Sequence, residues 1–185
     1  KSTALRMIAG LMEPTSGTIE WRQRGLPANS LAGPPAERPE IGFVFQDPTL
    51  MPWANVVDNV WLPLRLRGRS RHSARDEIGK ALKLVGLDGF ERAYPRELSG
   101  GMRMRVSIAR ALVLRPRILL LDEPFAALDE ITRLKLNDDM MRLQRELDAT
   151  IVFVTHSVYE SVYLSTRIAV FAARPGRIVE TLDIH

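Results

Sequence analysis

The stretch Ile118–Pro124 reads ILLLDEP, and it decides the fold that we predict for this chain. Four consecutive apolar residues without alternation are typical of a parallel strand that is buried on both faces. Pro124 cannot donate to the ladder, so the strand ends there. Asp122 and Glu123 are then placed at the carboxyl end of a central strand, where open α/β sheets bind their ligands.

These two carboxylates are predicted to serve different atoms, because successive strand residues point to opposite faces of a sheet. One of them could hold a metal ion while the other orients or deprotonates a water molecule. The alternative is a strand that merely ends in a polar turn. The residues around Asp122 and Glu123 do not by themselves decide between the two.

The chain has the size and composition of one globular domain, with 185 residues, an apolar share of 45% and a charged share of 26%. Its net charge of +4 is compatible with nucleotide phosphates, nucleic acid or anionic lipid, and it selects none of them. The absence of cysteine excludes a disulfide framework and a thiol nucleophile. Since the sequence begins at Lys1 without a methionine and stops at His185 within what reads as a strand, we expect an N-terminally truncated fragment.

The first residues, Lys1-Ser2-Thr3, lead directly into a helical pattern that Gly10 could end. A lysine followed by hydroxyl residues at a helix start matches the close of the phosphate-binding motif G-x-x-x-x-G-K-[ST]. In that motif backbone N–H groups cradle phosphates, the lysine reaches the terminal ones, and the hydroxyl binds Mg²⁺. The motif's glycines would precede residue 1, and a capped surface helix explains the same three residues.

A second strand is predicted at Ile41–Phe45, and it ends in Gln46-Asp47-Pro48. An amide at this position could donate and accept near a metal ion or its water, although an ordinary polar loop residue fits equally well. Between the first helix and this strand we expect a short strand at Thr18–Trp21 and a loop rich in Gly and Pro at Gly25–Pro39.

Residues from about Thr49 to Leu112 lack strand patterns, and they predict a helical insertion between two strands of the sheet. A cluster of basic residues lies here, which we interpret as a solvated face, because no aromatic residues interleave to stack bases. Ser73 and Asp76 resemble a capping box ahead of a helix that Gly86 would end.

The segment Leu98–Met102 predicts a second helix N-terminus, with Ser99 as the N-cap. Free N–H groups and the positive end of the helix dipole make such a turn suitable for an anion. An ordinary cap accounts for Ser99 but not for Gly100 and Gly101, which weaken a helix start unless something approaches closely.

Downstream of the acid pair, Ala127-Leu128-Asp129 precedes an amphipathic helix, and Ile151–Val154 predicts a second buried strand that ends in Thr155-His156. A histidine at a strand end is usually structural, but this one would lie at the same sheet edge as Asp122, where it could bind a γ-phosphate. Further strands are predicted at Arg167–Phe171 and Arg177–Leu182, with a turn at Pro175-Gly176.

Taken in order, these motifs resemble the nucleotide-binding subunit of an ATP-binding cassette (ABC) transporter. Lys1-Ser2-Thr3 resembles the end of Walker A, Gln46 the Q-loop, and Leu98–Met102 the signature motif, with Met where Gln is commoner. Ile118–Glu123 resembles Walker B, Ala127–Asp129 the D-loop, and His156 the switch histidine. Leu-Ser-Gly-Gly a short distance before a Glu-Pro pair is far more specific than the Walker motifs alone.

The resemblance implies roles in Mg-ATP binding and hydrolysis. Glu123, His156 and Gln46 would be catalytic: Glu123 polarises the attacking water, His156 braces the γ-phosphate, and Gln46 senses it. The implied nucleotide-binding residues are Lys1, Ser2, Thr3, Ser99, Gly100, Gly101 and Asp129, and the implied Mg²⁺ ligands are Ser2, Gln46 and Asp122. The Ser99–Gly101 turn would complete the site of a second copy in a head-to-tail dimer.

For the fold, the resemblance implies one ABC ATPase domain over residues 1–185, with a P-loop NTPase core and a mainly parallel sheet. The RecA-like core would comprise residues 1–46 and 113–185, and a helical subdomain would span about 47–112. The implied partners are a second copy, permease subunits that contact residues 47–64 and, indirectly, a substrate-binding protein, with no nucleic acid. The implied location is cytoplasmic, on the inner face of the cell membrane.

Some features are similar in particular to importers of nitrate, sulfonate and taurine: Met51–Trp53 followed by Asn59–Leu64, the methionine after Leu-Ser-Gly-Gly, and Arg174–Val179. Two alternatives are a DNA-repair or chromosome-type ABC ATPase and a catalytically silent cassette. The absence of sustained heptads between Lys1 and Asp122 disfavours the first, and the presence of Glu123, Gln46 and His156 disfavours the second. We expect the intact protein to hydrolyse ATP and this fragment to do so poorly.

Overall fold

The computed structural model describes residues 1–19, 39–147 and 149–184. The helices and strands, with one short 3₁₀ turn at Pro95–Glu97, are in chain order α1 (Ser2–Ile8), β1 (Ile41–Val44), α2 (Val56–Leu66), α3 (Arg75–Leu84), α4 (Gly100–Leu112), β2 (Ile118–Asp122), α5 (Glu130–Glu146), β3 (Thr150–Val154), α6 (Val158–Leu164), β4 (Arg167–Phe171) and β5 (Ile178–Asp183). Strands and helices alternate around a stretch that is purely helical from α2 to α4. The predicted α/β architecture with a helical insertion is therefore confirmed.

A parallel sheet in the order β1-β2-β3 forms the centre of the molecule. The register pairs Val44 with Leu121 and Leu121 with Phe153, so the carboxyl ends of all three strands lie at one edge. Leu119, Leu120 and Leu121 have no exposed surface, which confirms the strand buried on both faces that the ILLLDEP stretch predicts.

The strand predicted at Ile151–Val154 is confirmed, but the prediction that it is buried is wrong, since its residues are only half-buried. Within the described ranges β3 pairs with β2 alone, so one of its edges has no neighbouring strand. Strands β4 and β5 form a separate antiparallel pair, in which every residue of β5 is exposed.

The helical insertion has an apolar core made by α2, α3 and α4, with Val60, Leu82 and Val106 buried within it. The capping box predicted for Ser73 and Asp76 is wrong, because α3 begins at Arg75 after Ala74, which provides no side-chain cap. The hydroxyl of Ser73 instead donates to the carbonyl of Ser70 at 2.9 Å.

The end of α3 is predicted correctly, since Gly86 follows it in the left-handed conformation that favours glycine, with φ 65°.

Three arginines of the basic segment around residues 65–75 form ion pairs at the surface. Their guanidinium groups pair with acids on neighbouring segments: Arg67 with Glu40, Arg69 with Glu77, and Arg71 with Asp58. These contacts support the interpretation of a solvated face.

Two predictions concern the segment that precedes β1. Thr18 and Ile19 form no strand, and the remainder of the strand predicted at Thr18–Trp21 lies outside the described residues. The loop predicted at Gly25–Pro39 also lies outside them, apart from Pro39. Within the described ranges, no helix has both the length and the apolarity that crossing a bilayer requires.

Candidate functional site

The carboxyl edge of the sheet brings together the first residues of the chain and the end of β2. The hydroxyl of Ser2 donates to Oδ1 of Asp122 at 2.8 Å, across 120 positions of sequence. Asp122 is only 5% exposed because it is the last residue of the buried central strand. A hydroxyl and a carboxylate oxygen thus lie side by side at the edge where parallel sheets bind ligands.

Lys1 lies at the same edge of the sheet, beside the end of β3. Its ammonium group donates to the carbonyl of Thr155 at 2.7 Å, directly after the end of β3. The side chain is solvent-accessible, so the cation faces the edge from outside. Thr3, the next residue but one, is exposed on α1.

Glu123 leaves the strand in a left-handed turn, with φ 48°. Its N–H donates to the carbonyl of Val154 at 2.9 Å, which ties the turn to β3. The buried ring of Phe125 also packs against Phe153, with ring centroids 5.5 Å apart. Glu123 thus lies after the end of β2, so the alternation expected of strand residues does not apply to it.

The carboxylate of Glu123 contacts His156, with 3.0 Å between Oε2 and Nδ1. A carboxylate without a proton can only accept, so the tautomer with N–H at Nδ1 makes this contact a hydrogen bond and leaves Nε2 for another partner. Asp122 contacts Ser2, so the two carboxylates contact different side chains.

Gln46 follows β1 at the same edge, and among the described residues no hydrogen bond joins it to the other members of the site. The loop after it is fixed by Arg110 of α4, whose guanidinium donates to the carbonyls of Pro48 and Thr49 and to the Thr49 hydroxyl, each at 2.9 Å. Burial lowers the pKa of Arg110. Sequence reasoning missed Arg110, because it is one of three arginines on α4 and no motif singles it out.

The second predicted anion site, at the start of α4, lies against the start of α5. Ser99 is the N-cap as predicted, and its hydroxyl oxygen accepts from the N–H of Met102 at 3.2 Å. A Cβ on Gly101 would lie 2.6 Å from Cγ2 of Thr132, and one on Gly100 would lie 3.2 Å from Cδ2 of Leu128. The two glycines thus permit a close approach by Leu128 and Thr132 of the same chain.

Asp129 is exposed at the N-cap of α5, where it accepts from the N–H of Thr132 at 3.0 Å. This hydrogen bond lowers the pKa of its carboxyl group. The Ser99–Gly101 turn and Asp129 thus lie near each other and form one group of residues, where the start of α4 meets the start of α5. Among the described residues, no hydrogen bond or ion pair joins this group to Lys1, Ser2 or Asp122.

The oxygen atoms of Ser2 and Asp122 are the kind of ligand that Mg²⁺ prefers, since this ion usually takes one or two protein ligands besides water and substrate phosphates. Among the residues that the structure describes, no three acidic, histidine or cysteine side chains cluster as an all-protein metal site would require. The two oxygen atoms of Ser2 and Asp122 fit a magnesium ion that takes its remaining ligands from water and phosphate.

Comparisons with known proteins agree with this geometry. A family model described as ABC transporter matches residues 1–126. An uncharacterized ABC transporter ATP-binding protein of Methanocaldococcus jannaschii is 48% identical, and the nitrate import ATP-binding protein NrtD of Synechocystis is 44% identical, each over 100% of the chain. An aliphatic sulfonates import ATP-binding protein of Bacillus subtilis and a taurine import ATP-binding protein of Yersinia pestis match at 42% and 43%.

The chain spans 66% of the length of the first two of these relatives. A solved structure of an ATP-binding cassette, dimeric and in a post-hydrolysis state with ADP and Pi bound, superposes with a TM-score of 0.76 at 33% identity. That match covers 100% of the chain and 80% of the solved one. The predicted family and the predicted ABC ATPase fold are both confirmed.

Proposed function

Because the chain belongs to the ABC transporter family, we propose that it binds Mg-ATP at the carboxyl edge of its sheet and hydrolyses it to drive a membrane permease. The observation that carries this proposal is the pair of contacts at that edge, Ser2 with Asp122 and Glu123 with His156. They bring hydroxyl, carboxylate and imidazole groups from distant parts of the sequence to one place.

In phosphoryl transfer a protein contributes mainly by positioning the reactants and by neutralising charge. Lys1 would exchange the Thr155 carbonyl for the β- and γ-phosphates, which its flexible four-carbon stem allows. Ser2 and Asp122 would hold Mg²⁺, with Thr3 assisting at the phosphates. A magnesium ion supplies neutralisation of the charge on the phosphate oxygens.

The second pair, Glu123 and His156, would act on the attacking water. Glu123 would accept a hydrogen bond from that water and align it with the γ-phosphate. His156 holds the carboxylate through Nδ1 and would present Nε2 to the γ-phosphate. Gln46 would sense the metal and the γ-phosphate from the end of β1, in a loop that Arg110 fixes.

The proposed partners follow the same family. Ser99, Gly100, Gly101 and Asp129 would complete the nucleotide site of a second copy in a head-to-tail dimer, and the dimeric state of the similar solved structure supports this. Residues 47–64 would contact a permease that a substrate-binding protein serves, with the protein on the cytoplasmic face of the membrane. Relatives named for nitrate, sulfonate and taurine import support anions of this kind as the cargo.

Replacing Glu123 with glutamine in the intact protein tests the catalytic assignment. The amide keeps the shape of the side chain but is a weaker partner for water, so kcat for Mg-ATP hydrolysis should fall by roughly 10²–10³ while ATP still binds. Glu130→Gln, an exposed acid in the first turn of α5, is the matched control and should leave kcat unchanged. Equal turnover in Glu123→Gln and in the parent would remove Glu123 from the mechanism.

A further inference from the structure

Glu160, in the first turn of α6, is a buried acid that the proposed mechanism does not use. It is 4% exposed, and among the described residues Asp122 is the other buried carboxylate. Removing a carboxylate from water is unfavourable unless partners compensate for the lost hydration. The partners of Glu160 therefore indicate what this carboxylate does.

One oxygen of Glu160 holds the residue that precedes His156. The hydroxyl of Thr155 donates to Oε2 of Glu160 at 2.5 Å, and the oxygen of the same hydroxyl accepts from the N–H of Ser157 at 2.9 Å. Thr155 and Ser157 flank His156 directly. The backbone on both sides of the imidazole is thus fixed through one hydroxyl group.

The other oxygen of Glu160 faces a cation from α5. Nε of Arg133 lies 3.8 Å from Oε1 of Glu160, and Nη2 of the same guanidinium donates to the carbonyl of Leu128 at 3.1 Å. Leu128 immediately precedes Asp129, the N-cap of α5. The carboxylate thereby joins the turn before α5 to the turn that carries His156.

We propose that Glu160 and Thr155 are positioning residues, which hold His156 at hydrogen-bond distance from Glu123 through the Thr155–Glu160 contact and link it through Arg133 to the Leu128–Asp129 turn. This inference rests on the proposed ATP hydrolysis. The carboxylate of Glu160 contacts Thr155 and Arg133, so it acts on the reacting atoms through the turn that carries His156.

Thr155→Val in the intact protein is the decisive variant, because it keeps the shape of the side chain and removes only the hydroxyl group. Small misplacements of a catalytic group are costly, so kcat for Mg-ATP in single-turnover measurements should fall roughly ten- to a hundredfold. The KM for ATP should stay within about twofold, since Lys1 contacts the carbonyl of Thr155 and not the hydroxyl that the variant removes. Thr155→Ser restores the hydroxyl and should restore kcat.

A double-mutant cycle with His156→Ala separates positioning from general damage. If Thr155 and Glu160 act through His156, then Thr155→Val and Glu160→Gln should change the residual rate of His156→Ala by less than about twofold. Tyr163→Phe is the matched control, because the Tyr163 hydroxyl also joins α6 to α5, through Asp138 at 2.7 Å. It should leave kcat unchanged.

Three results would overturn the inference: parent-like kcat in Thr155→Val, equal rate losses with and without His156, or an equal loss in Tyr163→Phe. A parent without Mg-dependent hydrolysis would instead refute the proposed function. In that case NMR of the His156 imidazole decides the positioning role separately. The Nδ1 resonance should move in Thr155→Val and not in Tyr163→Phe, and identical spectra would refute the role.

Discussion

Replacing Gly101 with alanine tests how closely the start of α4 approaches α5. The new Cβ would lie 2.6 Å from Cγ2 of Thr132 and 3.8 Å from Cδ1 of Leu136. Optimal contact between carbon atoms is about 3.5–4.0 Å, so the first distance is about 1 Å too short. Thr132 is β-branched, so only a few χ1 rotamers are open to its side chain. The two helix starts must move apart.

The magnitude follows from two opposed effects. Overpacking of this kind costs about 1–3 kcal/mol in the free energy of unfolding. Alanine gains up to about 1 kcal/mol over glycine inside a helix, and less of it here because Gly101 is in the first turn of α4. We therefore expect Gly101→Ala to destabilise the protein by about 1–2 kcal/mol, the remainder of the overpacking cost after the gain in helix propensity.

Urea denaturation measures this change as a lower transition midpoint at an unchanged slope. Thr132→Ser removes the methyl group that the new Cβ meets, so in combination with Gly101→Ala it should recover most of the loss. Gly79→Ala is the matched control: it lies in α3 with nothing within 4 Å of the new Cβ, and we expect a gain of about 0.5–1 kcal/mol. Parent-like stability of Gly101→Ala, or no recovery by Thr132→Ser, would refute the reasoning.

Three further predictions concern single side chains. Asn59 is fully buried, and its amide nitrogen donates to the carbonyls of Met51 and Ala54 while Oδ1 accepts from the N–H of Met51. Asn59→Ala should therefore lower the free energy of unfolding by about 2–4 kcal/mol in urea, and a loss below 1 kcal/mol would contradict these contacts. Arg110→Lys should cost about 1–2 kcal/mol in the same assay, because one ammonium group cannot span the three oxygens that the guanidinium binds, whereas an unchanged midpoint would show that water replaces them. The pKa of Asp129 is lowered from 3.8, so its carboxylate stabilises the fold above that pH. Asp129→Asn should therefore be less stable than the parent at pH 7, and the difference should shrink as the pH falls through the lowered pKa. A difference that does not depend on pH would exclude the charge as its cause.

The elements that the sequence predicts well are those whose signal is local. The run at Ile118–Leu121 indicates a buried parallel strand by itself, and Ser99 lies directly before the helix that it caps. Ser73 has an equally local pattern, yet the neighbouring Ser70 competes for its hydrogen bonds and the helix begins two residues later. The burial of β3 cannot be predicted from its own residues, because it depends on the strands beside it.

The residues of the candidate site could be named from sequence, but not the contacts that orient them. Ser2 and Asp122 each match a motif, whereas the contacts of Arg110 with Thr49 and of Glu160 with Thr155 match none, because each joins side chains whose proximity only the fold creates. Residues of a motif can thus be predicted from the sequence, whereas the side chains that orient them can be identified only from the structure.

Glu123 shows why local rules fail at such a site. A left-handed backbone costs a non-glycine residue about 1–2 kcal/mol, and local preference alone would place glycine at this position. A glycine, however, could not provide the carboxylate that contacts His156. The strained turn is held by the hydrogen bond from the Glu123 N–H to Val154 and by the buried ring of Phe125. Strain that persists only because its surroundings enforce it points to function, and here it falls on the residue that the proposed hydrolysis requires to align water.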